Sequence, residues 1–308
     1  MQWFRNRVER VRVSTASNLC FFARCLVLLV LTFSASPVLA GTIYVLSGQT
    51  GSPNFPRFGS IDVTTGVYSE ITPSLSSQYV RNLAWNPSTS SFYTVLGDPD
   101  GDPVNVNLAT LSTAGSIATI GDLLSARKVV GMAYRQADST LYGFDRDGND
   151  FGEIDPASGL WTTINPAGHG ISDQGRNGGR FAILNDTLYL TNNDQFGTIG
   201  YDSSSSFSQV GSSNNLFVNM VLATDGTSLF GVYGNGTEGQ QSLYDMNPTT
   251  GNASFNRLIS GAGLGTRFYG ADFGPKSPAV PEPTSMAIFG LGTLGMAYRA
   301  RRKAKAKA

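Results

Sequence analysis

A repeat of about 40 to 50 residues constrains the fold more than any other feature of this chain. Each copy has an apolar segment, a turn, a second apolar segment with an aromatic residue near its start, a longer loop and two further segments. The clearest copies span residues 82–121, 131–165, 180–211 and 219–258. The aligned aromatics, including one in an N-terminal piece, are Tyr44, Tyr93, Tyr142, Tyr189 and Phe230, at spacings of 49, 49, 47 and 41 residues. This period is typical of the four-stranded blade of a β-propeller.

The two ends of the repeated region complement each other. Residues 42–72 contain the last three segments of a copy but lack the first, whereas residues 267–274 contain a first segment with nothing after it. Pairing of these ends would close a ring and leave no exposed sheet edge. We therefore predict an all-β fold, a single five-bladed β-propeller over residues 41–275. A β-sandwich or an open solenoid of hairpins accounts less well for the isolated last segment.

The turns and the remaining large aromatics suit the same plan. Residues 62–66, 155–159 and 247–251 each begin with Asp or Asn and end with Gly, which is typical of a hairpin turn with glycine in the left-handed conformation. Because these turns recur at equivalent places, we assign them a structural role. We expect Trp85, Tyr134, Trp161 and the aligned aromatics to pack between blades.

The N-terminus has the pattern of a secretory signal peptide over residues 1–40. Five basic residues precede the apolar run 25–33, and they are Arg5, Arg7, Arg10, Arg12 and Arg24. Val38 and Ala40 are small residues at the −3 and −1 positions of a signal-peptidase site, so the mature chain should begin at Gly41. A retained N-terminal anchor is less favoured, because the apolar run is too short to span a bilayer comfortably.

The C-terminus has three parts in a fixed order. A linker, residues 276–284, ends in Val280, Pro281, Glu282, Pro283 and Thr284, and the two prolines prevent a helix from running through it. An apolar run of 14 residues, 285–298, follows. As a helix it would span roughly 21 Å, less than the ~30 Å hydrocarbon core. The basic residues Arg299, Arg301, Arg302 and Lys303 then begin the tail 299–308, which the positive-inside rule places in the cytoplasm.

This ordered arrangement resembles the PEP-CTERM sorting signal of Gram-negative bacteria, over about the last 29 residues. The resemblance implies recognition at the inner membrane by an exosortase, a membrane transpeptidase-like enzyme. It also implies removal of the tail, with release from the cell or attachment at its surface, in bacteria that make exopolysaccharide and biofilm. The alternative is an ordinary single-pass tail anchor, with 285–298 as a short transmembrane helix.

Composition limits the partners of the mature chain. Cys20 and Cys25 both lie in the predicted signal peptide, so the mature chain is expected to have no disulfide. Between the two signals there are 11 basic and 20 acidic residues, a net charge of −9. Such a charge argues against nucleic acid and anionic lipid as partners, and it is compatible with divalent cations.

A candidate calcium site lies in the loops that a propeller would place on one face. Two Asp-x-Asp-Gly stretches fall at equivalent places in successive copies, and their carboxylates are Asp98, Asp100, Asp102, Asp145, Asp147 and Asp150. Alternating carboxylates on a glycine-bent loop can present several oxygens to Ca²⁺. The spacing resembles the start of an EF-hand loop, without its downstream bidentate Glu. The hypothesis predicts that Ca²⁺ raises the melting temperature and that Asp100→Asn or Asp147→Asn removes the effect.

No catalytic set is predicted. His169 is the only histidine, it lies in a glycine-rich loop, and the chain has no Gly-x-Ser-x-Gly motif. Propellers can carry glycosidases built on paired carboxylates, but nothing in the sequence selects Asp145, Asp225 or Asp272 for that role.

Three functions remain open at this point. The favoured one is a non-catalytic binding or structural protein of the bacterial envelope or extracellular matrix, exported, processed by an exosortase and associated with exopolysaccharide. The alternatives are a secreted propeller enzyme acting on glycans or lactones, and a calcium-stabilised surface scaffold.

Overall fold

The computed structural model describes residues 41–49, 56–75, 79–97, 107–122, 128–145, 150–166, 180–192, 194–212, 220–234, 240–263 and 265–275. Within these ranges the chain forms twenty β-strands, all paired antiparallel in five four-stranded sheets. The residues belong to one compact unit, Ala40–Ser277. A second unit, Met1–Leu39 with Pro278–Ala308, lies outside the described residues.

Each sheet is one blade. In blades 2 to 5 the strands pair in chain order, from the inner strand to the outer strand. Blade 1 contains β1 (Thr42–Gln49), β2 (Arg57–Asp62) and β3 (Tyr68–Thr72), and blade 2 contains β4 (Tyr79–Asn86), β5 (Ser91–Gly97), β6 (Asn107–Ser112) and β7 (Ile117–Asp122). Blade 3 contains β8 (Val129–Arg135), β9 (Thr140–Asp145), β10 (Asp150–Ile154) and β11 (Trp161–Asn165). Blade 4 contains β12 (Arg180–Leu184), β13 (Thr187–Asn192), β14 (Gln195–Ile199) and β15 (Ser208–Ser212). Blade 5 contains β16 (Met220–Thr224), β17 (Leu229–Gly234), β18 (Gln241–Met246) and β19 (Ala253–Leu258).

The last strand in the described part of the chain completes the first blade. β20 (Thr266–Phe273) pairs antiparallel with β1, so that blade 1 has the order β20-β1-β2-β3. The inner strands β20, β4, β8, β12 and β16 are neighbours in a closed ring around the central channel. The predicted five-bladed propeller, closed by its C-terminal strand, is therefore confirmed.

The hydrophobic core lies between the blades. In the described part of the chain there are five buried clusters, and each joins residues of two neighbouring blades. The aligned aromatics belong to these clusters or pack against them, as do Trp85, Tyr134 and Trp161. The expectation that they fill the inter-blade core is confirmed.

The turns at the outer hairpins have the predicted conformation. Gly66, Gly159 and Gly251 have φ values of 73°, 78° and 70°, in the left-handed region. In the first of these turns the Asp62 Oδ1 accepts the backbone N–H groups of Thr64 and Thr65 at 2.8 Å each. This local hydrogen bonding explains why Asp or Asn begins each turn.

These turns also join the blades at the rim of the propeller. A Cβ added to Gly159 would lie 3.1 Å from the Gly121 carbonyl oxygen on the preceding blade, and one added to Gly251 would lie 2.7 Å from the Gly211 Cα. In the equivalent turn of blade 4, the Ser203 carbonyl accepts a hydrogen bond from Asn165 Nδ2 of blade 3 at 3.3 Å. The turn of blade 1 meets blade 5 in the same way, because the Ser260 N–H donates to the Gly66 carbonyl at 3.0 Å. Rim contacts of this kind run from each blade to the one before it.

Among the described residues, no helix has the length and the apolar character needed to cross a membrane. The predicted helix 285–298 lies outside the described residues.

Candidate functional site

The inner strands define two ends of the central channel. We call the end where they begin the entry end, and the end where they finish the exit end. Because the blades are antiparallel, the connections from second to third strand and from blade to blade all leave strands at the entry end. The predicted loop residues Asp98, Asp100, Asp102 and Asp147 and the histidine at position 169 lie outside the described residues.

Two of the candidate metal ligands are described, and they face each other across a hairpin. Asp145 ends β9 and Asp150 begins β10, and the two are paired in register. Asp145 is buried, and its Oδ1 accepts the Lys128 backbone N–H at 2.7 Å. Asp150 Oδ2 accepts the Thr163 hydroxyl at 3.4 Å. Across the described ranges, no group of three or more acidic, histidine or cysteine residues is arranged to hold a metal ion.

A cationic and aromatic cluster lies at the entry end, on the inner strands of two neighbouring blades. Arg81 on β4 lies over the ring of Tyr79, with its Cζ 4.3 Å from the ring centroid, and its Nη2 donates to the Tyr79 hydroxyl at 2.8 Å. The Tyr79 ring meets Tyr269 of β20 edge to face, at 5.8 Å between centroids. Arg81 Nε is buried and has no hydrogen-bond partner among the described residues.

Arg180 interacts electrostatically with the same cluster from another part of the ring. It begins β12, which is not a neighbour of β4 or of β20. Burial, together with the positive charges of Arg81 and Arg267, lowers the pKa of Arg180 to about 10, whereas Tyr79 and Tyr269 act in the opposite direction. Arg180 Nη1, like Arg81 Nε, is buried without a partner in the described part of the chain.

The strand pairing gives the position of each arginine in its blade. Arg81 pairs with Val95 and Arg180 pairs with Thr191, and both partners lie two residues after the aligned aromatic of their blade. The two arginines therefore occupy equivalent positions in blades 2 and 4. Sequence reasoning did not find this cluster. The alignment of the copies shows that Arg81 and Arg180 are equivalent, but it does not show that their charges interact across the ring.

The exit end has a carboxylate instead. Asp272 on β20 pairs with Tyr44, at the position that alanine occupies in the other inner strands, namely Ala84, Ala133, Ala182 and Ala223. Its Oδ2 accepts the Trp85 N–H at 2.7 Å, its Oδ1 accepts the Phe273 N–H at 2.8 Å, and the Thr224 N–H also donates to it. Burial raises the pKa of Asp272 to about 7, against the lowering effect of these three N–H groups.

Asp225 is also used by local structure. Its Oδ1 accepts the N–H groups of Thr227 and Ser228, at 2.7 Å each, in an exposed turn. All three carboxylates considered for a glycosidase pair therefore accept hydrogen bonds from backbone N–H groups. Asp145 does so at the entry end, and Asp225 and Asp272 do so at the exit end.

The C-terminal segment matches a known sequence family. The model of the PEP-CTERM protein-sorting motif matches residues 279–303. The match includes the residues predicted for sorting, Val280 to Thr284, and the basic residues that follow the apolar run. It implies export and sorting to the cell surface through an exosortase, and this chain therefore combines a PEP-CTERM tail with a propeller. The tail and the residues Val38 and Ala40 lie outside the described residues, whereas Gly41 is the first of them.

The propeller is similar in outline to solved structures, at low sequence identity. One is a structural-genomics protein of unknown function from Bacteroides thetaiotaomicron, with 12% identity, a TM-score of 0.49, and coverage of 77% of this chain and 66% of that one. Another is TolB from Acinetobacter baumannii, with 12% identity, a TM-score of 0.44, and coverage of 77% and 67%. A chain of a nidogen/laminin complex has 12% identity, a TM-score of 0.46, and coverage of 77% and 100%. None of these similarities indicates an activity. No curated protein matches this chain.

Proposed function

We propose that this chain is a non-catalytic binding or structural protein that exosortase sorting delivers to the bacterial envelope or the extracellular matrix. The match of the C-terminal segment to the sorting motif is the observation that carries the proposal. We propose exopolysaccharide as a candidate partner, and signal peptidase and exosortase as the enzymes that process the chain.

The use of the described carboxylates supports a non-catalytic role. A glycosidase needs two carboxyl groups about 5–10 Å apart that are free to exchange protons with substrate or water. Asp145, Asp225 and Asp272 each accept backbone N–H groups instead, and they are divided between the two ends of the channel. The enzyme acting on glycans or lactones is therefore the less favoured alternative.

The proposed processing sites fall just outside the propeller. Cleavage after Ala40 would leave β1 intact, because this strand begins at Thr42. At the other end β20 finishes at Phe273, ahead of the proposed linker 276–284, the helix 285–298 and the tail 299–308. Both signals can therefore be removed without loss of any of the twenty strands described above.

The calcium-stabilised scaffold stays a prediction. In its favour, the pairing of Asp145 with Asp150 brings the ends of one Asp-rich stretch together. Against it, Asp145 already accepts the Lys128 N–H, and the entry end also carries three arginines.

Deletion of Pro281–Pro283 in the natural host tests the proposal. We expect the deleted protein to be exported but to be lost from the surface and medium fractions, with its C-terminus intact by mass spectrometry, because the exosortase no longer recognises it. Deletion of residues 276–278 removes the same number of residues outside the matched segment and should leave sorting unchanged. Normal surface delivery after deletion of Pro281–Pro283 would contradict the proposal.

A further inference from the structure

We infer that the entry end of the channel binds an anionic group, a carboxylate, sulfate or phosphate, between Arg81 and Arg180. The inference rests on the proposed binding role, to which it adds a ligand class and a position.

The arrangement of the strands places the arginines around one space. β4 and β20 are neighbours in the inner ring, whereas β12 is separated from them by β8 on one side and β16 on the other. A charge on β12 can act on charges of both β4 and β20 only if these side chains approach one another in the channel. Arg81, Arg180 and Arg267 all lie near the starts of inner strands, β4, β12 and β20, and therefore at the entry end. The charges of Arg81 and Arg267 both lower the pKa of Arg180, which agrees with this placement.

Two donors of this cluster are buried without an acceptor. Arg81 Nε and Arg180 Nη1 have no hydrogen-bond partner among the described residues. Buried charged donors are costly to leave unpaired, and the planar guanidinium group fits the two oxygens of an oxyanion in a bidentate manner. An anion bound here would supply the missing acceptors and reduce the repulsion among like charges.

Another arginine of the same chain shows how a purely structural guanidinium is held. Arg135 Nε and Nη2 donate to the two carboxylate oxygens of Asp186 at 2.6 and 2.7 Å, and its Nη1 donates to Asp138 at 2.7 Å. These contacts raise the pKa of Arg135 above its usual value, whereas the surroundings of Arg180 lower the pKa of that residue. Arg135 is neutralised within the fold, and Arg180 lacks such an acid among the described residues.

The charge of the whole mature chain makes this cluster unusual. Three cations meet at one end of the channel in a region that carries a net charge of −9. This net negative charge disfavours indiscriminate binding of polyanions. The site therefore suits a single acid group that enters the channel, such as the carboxylate of an acidic sugar, better than a broad anionic surface.

Titration of the exported protein, purified from its host in a non-ionic detergent, tests the inference. Glucuronate, sulfate and phosphate are each added against chloride at constant ionic strength, and binding is followed by calorimetry. We expect saturable binding of at least one anion, and the preferred anion identifies the acid group as a carboxylate, a sulfate or a phosphate. Arg81→Gln and Arg180→Gln should each weaken it at least tenfold.

Matched variants separate binding from folding and from general charge effects. Arg257→Gln removes one positive charge from the outer strand β19 and should change the affinity less than twofold. Arg180→Lys keeps the charge but loses the bidentate geometry, so it should fold and still weaken binding. No saturable binding of any anion by the wild type, or an affinity in both Arg81→Gln and Arg180→Lys equal to that of the wild type, would overturn the inference. Sorting is measured separately in host cells, so failure here leaves the sorting result interpretable.

Discussion

At the scale of the residue, Asp272 differs from its equivalents in the other blades. Four of the five equivalent inner-strand positions hold alanine, and the fifth holds this carboxylate. Its oxygens accept N–H groups from Trp85 on β4 and Thr224 on β16, which are the strands on either side of β20. One side chain therefore connects the closing strand to both of its neighbours in the ring.

The raised pKa of Asp272 predicts a specific dependence of stability on pH. The pKa rises from 3.8 to about 7 on folding, so the folded protein binds this proton more tightly between these values. The contribution of Asp272 to the free energy of unfolding is then fully present below about pH 4, decreases as the pH rises to about 7, and is constant above it. Asp272→Asn cannot titrate. We expect the melting temperature of the wild type, relative to this variant, to fall as the pH rises from about 4 to about 7.

The exposed Asp122 at the end of β7 provides the control for this measurement. Asp122→Asn should follow the wild type across the window, because it leaves Asp272 in place. A wild type that gains stability relative to Asp272→Asn as the pH rises would show that the three N–H donors outweigh burial at this site.

Sequence reasoning reached some of these residues and not others, for a physical reason. The aligned aromatics were predicted because inter-blade packing repeats with the period of the blade, and a periodic signal is visible in one chain. Asp272 was considered only as one of several acids, because its partners belong to β4 and β16. Arg81 and Arg180 were missed because their proximity depends on the diameter of the ring, which no local pattern specifies.

At the scale of the element, the rim turns predict how much docking between blades contributes to stability. Gly251→Ala places a methyl group on a residue with a φ of 70° and within 2.7 Å of the Gly211 Cα. We expect backbone strain of about 1–2 kcal/mol. Overpacking against the neighbouring blade should add about 1–3 kcal/mol. Chemical denaturation of the variant measures the sum.

Gly226→Ala separates the two contributions. Gly226 has a φ of 85°, and an added Cβ would meet nothing within 4 Å. This variant should show the backbone strain alone. Equal losses of stability in Gly226→Ala and Gly251→Ala would mean that docking of the rim turns contributes little.

The elements themselves were largely predictable, but irregularities such as the bulge in β4 were not. Alternating apolar residues, glycine turns and the repeat specified the order of the strands. β4 contains a bulge between Arg81 and Ala84, where Asn82 has a φ of 61° and donates through Nδ2 to the Val129 carbonyl at 3.0 Å. This asparagine joins blade 2 to blade 3. A contact that a single residue makes in only one copy cannot be recognised from the pattern that the copies share.

At the scale of the whole molecule, closure of the ring depends on the end of the chain that carries the sorting signal. β20 is the last strand of the described residues, and seven residues separate Phe273 from Pro281. The strand runs from the entry end to the exit end, so the chain leaves the propeller on the side opposite the arginine cluster. The proposed anion site therefore lies at the end of the channel opposite Phe273.

Truncation on either side of β20 tests this dependence. A chain that ends at Pro275 keeps the closing strand, and we expect it to resist proteolysis and to melt cooperatively. A chain that ends at Gly265 lacks β20, so the edge of β1 is left unpaired. The inner strands β4 and β16 also lose their contacts with β20. This chain should be degraded or aggregate, because an open edge and two uncovered blade interfaces remain.

A synthetic peptide of residues 266–275, added to the shorter chain, should restore protease resistance by strand addition. A shorter chain as resistant as the longer one without the peptide would show that the ring does not need its last strand.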